Sequence, residues 1–188
     1  LLTRTKGRFF HLWVPATLGW ATHGVLDACT SYGTQLLWPF SSTRIAWNTV
    51  SVIDPLFTAL LLLLTVLSLW KNNRILSSIA LLWSVLYLML GIHQRDKALE
   101  TYAEILDSRG HQAPITVKPS FGNHILFRGF YKHENQVYAD SIRVPWIGEP
   151  KVYQGSSVES LQYDPLYASV DSTHQHDLER FRLFSKGF

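Results

Sequence analysis

Three apolar runs occupy the first half of the chain, and period-two alternation begins only beyond residue 114. The first run covers about 9–28, carries Trp13 and Trp20, and follows Arg4, Lys6 and Arg8. The second covers 55–70 and includes Leu60 to Leu64 without a break. The third covers 75–92, and the basic turn Lys71-Asn72-Asn73-Arg74 separates it from the second. Runs of this apolarity predict membrane helices. The second and third form a tight helical hairpin, each a little under the roughly 20 residues of a full span. A buried helical pair in a soluble protein is the competing reading, and five consecutive leucines beside two further apolar runs weigh against it. Residues 30–54 are polar-aromatic, with Tyr32, Trp38, Phe40 and Trp47, and suit a membrane–water interface or a re-entrant loop.

Beyond the third run, 94–109 read as an amphipathic helix, with Ala98, Tyr102, Ile105 and Leu106 at helical spacing and Gly110 as its stop. Residues 125–131 and 137–144 alternate as two strands joined by a turn at 132–136. The tail is polar, and its Arg/Phe-rich end, 179–188, predicts a short helix. The expected fold class is an α-helical membrane protein with about three transmembrane helices, followed by a small α+β or mainly antiparallel β domain. Its divisions fall at 1–93 (transmembrane helices with a polar site), 94–113 (connecting helix), 114–154 (β-rich domain) and 155–188 (polar tail).

Charge sharpens this picture. The net charge of +3 is too small and too scattered for nucleic-acid binding. Arg4, Lys6, Arg8, Lys71 and Arg74 fall on one side of the apolar runs, which the positive-inside rule assigns to the cytoplasm. The 30–54 loop and everything after residue 93 then fall on the periplasmic side. A single cysteine, Cys29, excludes an intrachain disulfide and a thiolate zinc site; it reads as a small packing residue. No cleavable signal peptide follows the first run.

The candidate chemistry lies at the outer ends of the apolar runs. His23 and Asp27 are four residues apart, so on a helix they share a face, and Asp54 precedes the second run. Ionisable groups at membrane depth are costly and usually face a cavity, a partner or an ion. One His and two carboxylates form a mixed N/O set that zinc, manganese or iron accepts and magnesium suits less well. Asp27 and His23 are the candidate catalytic pair, and His23, Asp27 and Asp54 the candidate metal ligands. Each has a plainer role. His23 can hydrogen-bond a neighbouring helix, Asp27 can pair with Arg44, and Asp54 before Pro55 is an ordinary N-cap, the stronger reading on spacing alone. Thr30, Ser31 and Tyr32 are either donors around such a site or helix-end polar groups. His174 and His176 form an incidental exposed pair in the tail, and His111, His124 and His133 have no partner at a telling spacing.

The run from Thr22 through His23, Asp27, Tyr32, Gly33, Trp38 and Pro39 to Ser41, then Arg44, Ala46 and Trp47, then Ile53-Asp54-Pro55-Leu56-Phe57-Thr58, closely resembles the bacterial membrane-bound metal-dependent hydrolases of the YdjM/YbcI type. The match covers roughly 10–70. A weaker echo lies at Pro119, Gly122 and Asn123 followed by Phe127-Arg128, where the family has Trp-Arg. The resemblance implies a bacterial inner-membrane protein with a divalent-metal site, zinc first and manganese second, whose His-Asp motif maps onto His23 and Asp27 and whose Asp-Pro maps onto Asp54 and Pro55. Family members carry a further His-Arg-x-x-Thr-His-Ser segment upstream, which is not found here. With Leu1 in place of Met, the expectation is a chain shortened at its N-terminus and lacking those ligands. The family is distantly similar to zinc-dependent phospholipase C and P1-type nuclease folds, which favours phosphoester chemistry. The expected function is a metal-dependent hydrolase of a lipid or phosphoester, with membrane lipids as partners. The alternative is a non-catalytic inner-membrane scaffold or envelope-stress protein.

Overall fold

The computed structural model describes residues 6–122, 124–162, 166 and 168–185. Helix α1 (Lys6–Ala28) is followed by a loop, then α2 (Pro55–Lys71) and α3 (Arg74–Arg109). Strands β1 (Thr116–Pro119), β2 (Leu126–His133), β3 (Gln136–Arg143) and β4 (Lys151–Glu159) come next, and then α4 (Ser172–Ser185). The strands form one antiparallel sheet in sequence order.

The expectation of three membrane-spanning helices is corrected. Among the described residues only α3 is long and apolar enough to cross a membrane; α2, with 17 residues, is apolar but short. Helix α1 has 23 residues, but His, Thr, Gly and Pro15 dilute its apolar positions. It packs against no other described helix or strand and leaves Phe10, Leu12 and Trp20 exposed.

The α2–α3 hairpin forms where the basic turn predicts it. Asn72 ends α2 in the left-handed conformation, and the Asn73 side chain accepts the Ile75 N–H to start α3. Ser68 and Ser77 join the two helices through their hydroxyls at 2.5 Å. A second correction concerns α3. The apolar run at 75–92 and the amphipathic segment at 94–109 are one helix of 36 residues, about 54 Å long at the α-helical rise. A bilayer's hydrocarbon core is only roughly 30 Å thick, so the helix is longer than a single span needs. The remainder is a stem that carries the sheet.

One stripe unites the two halves of α3. Tyr87, Gly91, Gln94, Ala98, Tyr102 and Leu106 are all buried, at intervals of three or four residues that keep them on one face. The lower half of the stripe packs on Val117, Phe127, Tyr131, Ile142 and Val144, the inward residues of the sheet. Gly129 leaves room for this: a Cβ there would lie 2.4 Å from Tyr102 Cε1. Asp140, inward and buried, accepts hydrogen bonds from Tyr102 Oη (2.9 Å), Arg109 (2.6 Å) and Gly155 N–H (2.8 Å).

The expected pair of strands is a four-stranded sheet. The β2–β3 hairpin lies within two residues of its predicted bounds, turning at Glu134 and Asn135. β4 crosses from the expected domain into what reads as tail. Its side chains are almost all exposed, so it gives no burial alternation to detect. The tail's helix is α4, which starts earlier than the Arg/Phe-rich pattern suggests because Asp171 accepts the His174 N–H at its start.

Candidate functional site

His23 and Asp27 meet as their spacing demands, with Nε2 to Oδ2 at 3.5 Å and both side chains substantially exposed. They sit in the last two turns of α1. The helix ends at Ala28, where Thr30 turns back to bond the Asp27 carbonyl with both its N–H (2.9 Å) and its hydroxyl (2.7 Å). Thr30 is therefore a helix-end polar group. Asp27 does not pair with Arg44, whose guanidinium donates to the Gly33 carbonyl instead. Cys29 is buried, and its carbonyl holds the returning loop through the Thr49 N–H and hydroxyl and the Val50 N–H.

Asp54 is 3% exposed. Its Oδ1 accepts the Phe57 N–H at 3.1 Å, which is the N-cap the Asp-Pro pair predicts, with Pro55 in the first turn. Its Oδ2 accepts the Tyr87 hydroxyl at 2.7 Å, across from α3. The carboxylate thus fixes where α2 begins and which face of α3 it meets.

Asp27 and Asp54 line the same pocket, a cavity of about 370 Å³ bounded also by Thr30, Tyr32, Ser51, Phe57 and Thr58. Two carboxylates from separate elements therefore line one cavity, and His23 reaches it only through its contact with Asp27. Among the described residues, no three His, Cys, Asp or Glu side chains are gathered closely enough to hold a metal ion by themselves.

Spacing does not reveal two further groups around Asp54. Tyr87 is buried inside the third apolar run and packs on Phe57 (5.2 Å between ring centroids), Trp83 (5.1 Å) and His124 (4.4 Å). His124, from the loop before β2, is 3% exposed, and neither ring nitrogen has a hydrogen-bond partner among the described residues. Burial pushes its pKa below the ordinary imidazole range, with the Asp54 charge acting in the opposite direction. Gln94 holds this loop against α3 by donating to the carbonyls of His124 (3.1 Å) and Val144 (3.2 Å). The one sequence signal near His124 is the Pro119…Gly122-Asn123 echo that precedes it.

The other histidines find plainer surroundings. His111 and His133 stack at 4.0 Å, and His111 Nδ1 lies 3.0 Å from the Tyr131 hydroxyl. His174 pairs with Asp171 at the start of α4, on an exposed surface.

The model of the YdjM inner membrane protein family matches residues 1–98, a span that includes α1, the 29–54 loop, α2 and the apolar part of α3. No curated protein and no solved structure matches the chain.

Proposed function

The chain belongs to the YdjM inner membrane protein family, and on that premise we propose that it is a membrane-embedded, divalent-metal-dependent hydrolase of a lipid or phosphoester. The observation that carries this reading is the convergence of Asp27 and Asp54 on one pocket. Two carboxylates on one pocket supply anionic oxygen donors of the kind a divalent cation takes. An ionised carboxylate offers about four acceptor positions, and Asp54 uses two of them internally, so each of its oxygens retains one. Among the described residues the Asp27 carboxylate is engaged by His23 alone. Asp54 would be the fixed ligand and Asp27 the adjustable one. His23 would either steady Asp27 or turn to supply a nitrogen.

When bound, a zinc or manganese ion supplies Lewis-acid polarisation of the scissile group and neutralises developing charge. The chain's own part is positional. Asp54 is pinned from two sides, Phe57 lines the pocket beside it, and the hydroxyls of Ser51 and Thr58 offer orientation to a polar substrate. We place the α2–α3 turn, with Lys71 and Arg74, in the cytoplasm. The pocket and the sheet then face the periplasm.

The test is elemental analysis of detergent-purified protein beside His23→Ala/Asp27→Ala. Near-stoichiometric zinc or manganese in the wild type, lost in the variant, supports the reading and opens a phosphoester and lipid substrate screen. A second reading is a non-catalytic scaffold or envelope-stress protein. What favours it is that Asp54 already has a full structural role as cap and as Tyr87 acceptor. Metal absent from both proteins would move the conclusion there.

A further inference from the structure

We infer that the outward face of the sheet, together with the groove between it and the membrane-side loops, is a binding site for anionic phospholipid. Strand residues alternate between faces. With Phe127, Tyr131 and Ile142 packed inward, the cross-strand pairs put Lys118 opposite Arg128, Arg128 opposite Ser141, and Ser141 opposite Tyr153 on the outer face. The neighbouring row is Leu126, Arg143 and Lys151. With Lys132 further along β2, the outer face carries five cations and no carboxylate. Arg128, Arg143 and Lys151 form no ion pair among the described residues.

This face does not look into open solvent alone. Lys118, Arg128 and Ser141 form one wall of a groove of about 650 Å³ whose opposite wall is Tyr32, Val52 and Ile53. That volume is in the range of small-molecule sites. Its apolar parts are exposed Ile53, Phe121 and Leu126, and Trp146 and Ile147 stand exposed in the loop that leads from β3 to β4. A groove that sets cations beside exposed apolar side chains fits a molecule with an anionic head and a hydrocarbon body. The groove's opposite wall comes from the loops that bound α1 and α2, which puts the groove beside the apolar helices. An acidic peptide or a nucleic acid would use the cations and leave the apolar wall wet. Lys and Arg near a membrane surface attract anionic headgroups by about fivefold in affinity each. The inference stands whether or not the Asp27–Asp54 pocket carries chemistry.

The experiment is native mass spectrometry of the full chain in neutral detergent, titrated separately with short-chain phosphatidylglycerol, phosphatidylcholine and inorganic phosphate. Phosphatidylglycerol should bind at least tenfold more tightly than phosphatidylcholine, and a hundredfold excess of phosphate should not displace it. Arg128→Gln/Arg143→Gln should weaken phosphatidylglycerol roughly twenty-fivefold, while Arg180→Gln on α4 leaves it unchanged. Equal binding of the two lipids by the wild type overturns the inference without any variant having to fold. So does displacement by equimolar phosphate, which would make this a phosphate site and not a lipid site. A folded double variant with wild-type affinity overturns it as well.

Discussion

Replacing Asp54 separates its structural duty from its proposed chemical one. In Asp54→Ala, α2 loses its N-cap bond to Phe57, worth about 1 kcal/mol. The Tyr87 hydroxyl, buried on a residue 3% exposed, loses its acceptor, which costs about 1–3 kcal/mol. Removing a buried carboxylate also removes its desolvation cost, so the low end of the sum applies: a loss of about 2 kcal/mol. For a chain of this size that is a fall in Tm of roughly 4–8 °C. Asp54→Asn behaves differently. Asparagine caps as well as aspartate, and its amide can donate to the Tyr87 oxygen, so the loss should stay below about 1 kcal/mol. Thermal unfolding in detergent, followed by near-UV circular dichroism, reads both variants, and metal content is measured on the same samples. The isosteric variant should be nearly as stable as the wild type and yet carry less metal. If Asp54→Ala unfolds within 1 °C of the wild type, the account of Asp54 as the pin between α2 and α3 is wrong.

Three other outcomes follow from the same structure. In Gly91→Ala, the new Cβ would lie 2.3 Å from the Thr49 carbonyl oxygen and 3.2 Å from His124 Nε2. The 45–50 loop must move off α3 at a cost of about 1–3 kcal/mol, and limited proteolysis should cut that loop faster than in the wild type. Burial opposes the charge on Asp140, but the bonds from Arg109, the Gly155 N–H and Tyr102 prevail and hold its pKa below the ordinary carboxylate range. Its folded pKa is depressed, so its contribution is complete above the unfolded value near about 3.9 and fades as pH falls through the folded value. The wild-type advantage over Asp140→Asn should therefore be roughly 3 kcal/mol at pH 7, since Arg109 is left without its partner, and should shrink below about pH 4; parallel unfolding curves for the two proteins at every pH would refute this. Finally, His23→Ala alone should change stability by less than about 0.5 kcal/mol because its pair with Asp27 is exposed, so a drop of several degrees in its Tm would show a buried contact on α1.

How far the sequence discloses this arrangement depends on whether a residue's role is local. The Asp54 cap, the Asn72–Asn73 turn, the His23–Asp27 pair and the β2–β3 hairpin all rest on neighbours within a few positions, and each is found where spacing predicts it. The continuity of α3 is hidden because its exposed side changes from apolar to polar at 93, while the buried stripe passes through that boundary unaltered. β4 is hidden because an edge strand with both faces exposed has no burial alternation. Tyr87 and His124 are hidden for a third reason. Tyr87's partner, Asp54, is 33 residues away, His124 packs on Tyr87 from a different element further along the chain, and nothing local marks a tyrosine inside a leucine-rich run as a hydrogen-bond donor.

The stripe on α3 therefore carries the most information about how the protein is built. Tyr87 takes hold of the start of α2, Gly91 admits the loop that closes the end of α1, Gln94 fastens the loop that brings in His124, and Tyr102 with Leu106 seats the sheet. These four attachments lie on one face of one helix with no proline between them, so the candidate pocket and the sheet are held in fixed register along a single rod. The pocket's carboxylates, the buried His124 and the groove beside Arg128 are neighbours because of that rod, not because of any contact between α1 and the sheet, which touch nowhere among the described residues. A lipid bound in the groove would lie against Tyr32 and Val52, which also line the Asp27–Asp54 pocket. The two proposed sites thus share a wall, and occupation of one bears directly on the shape of the other.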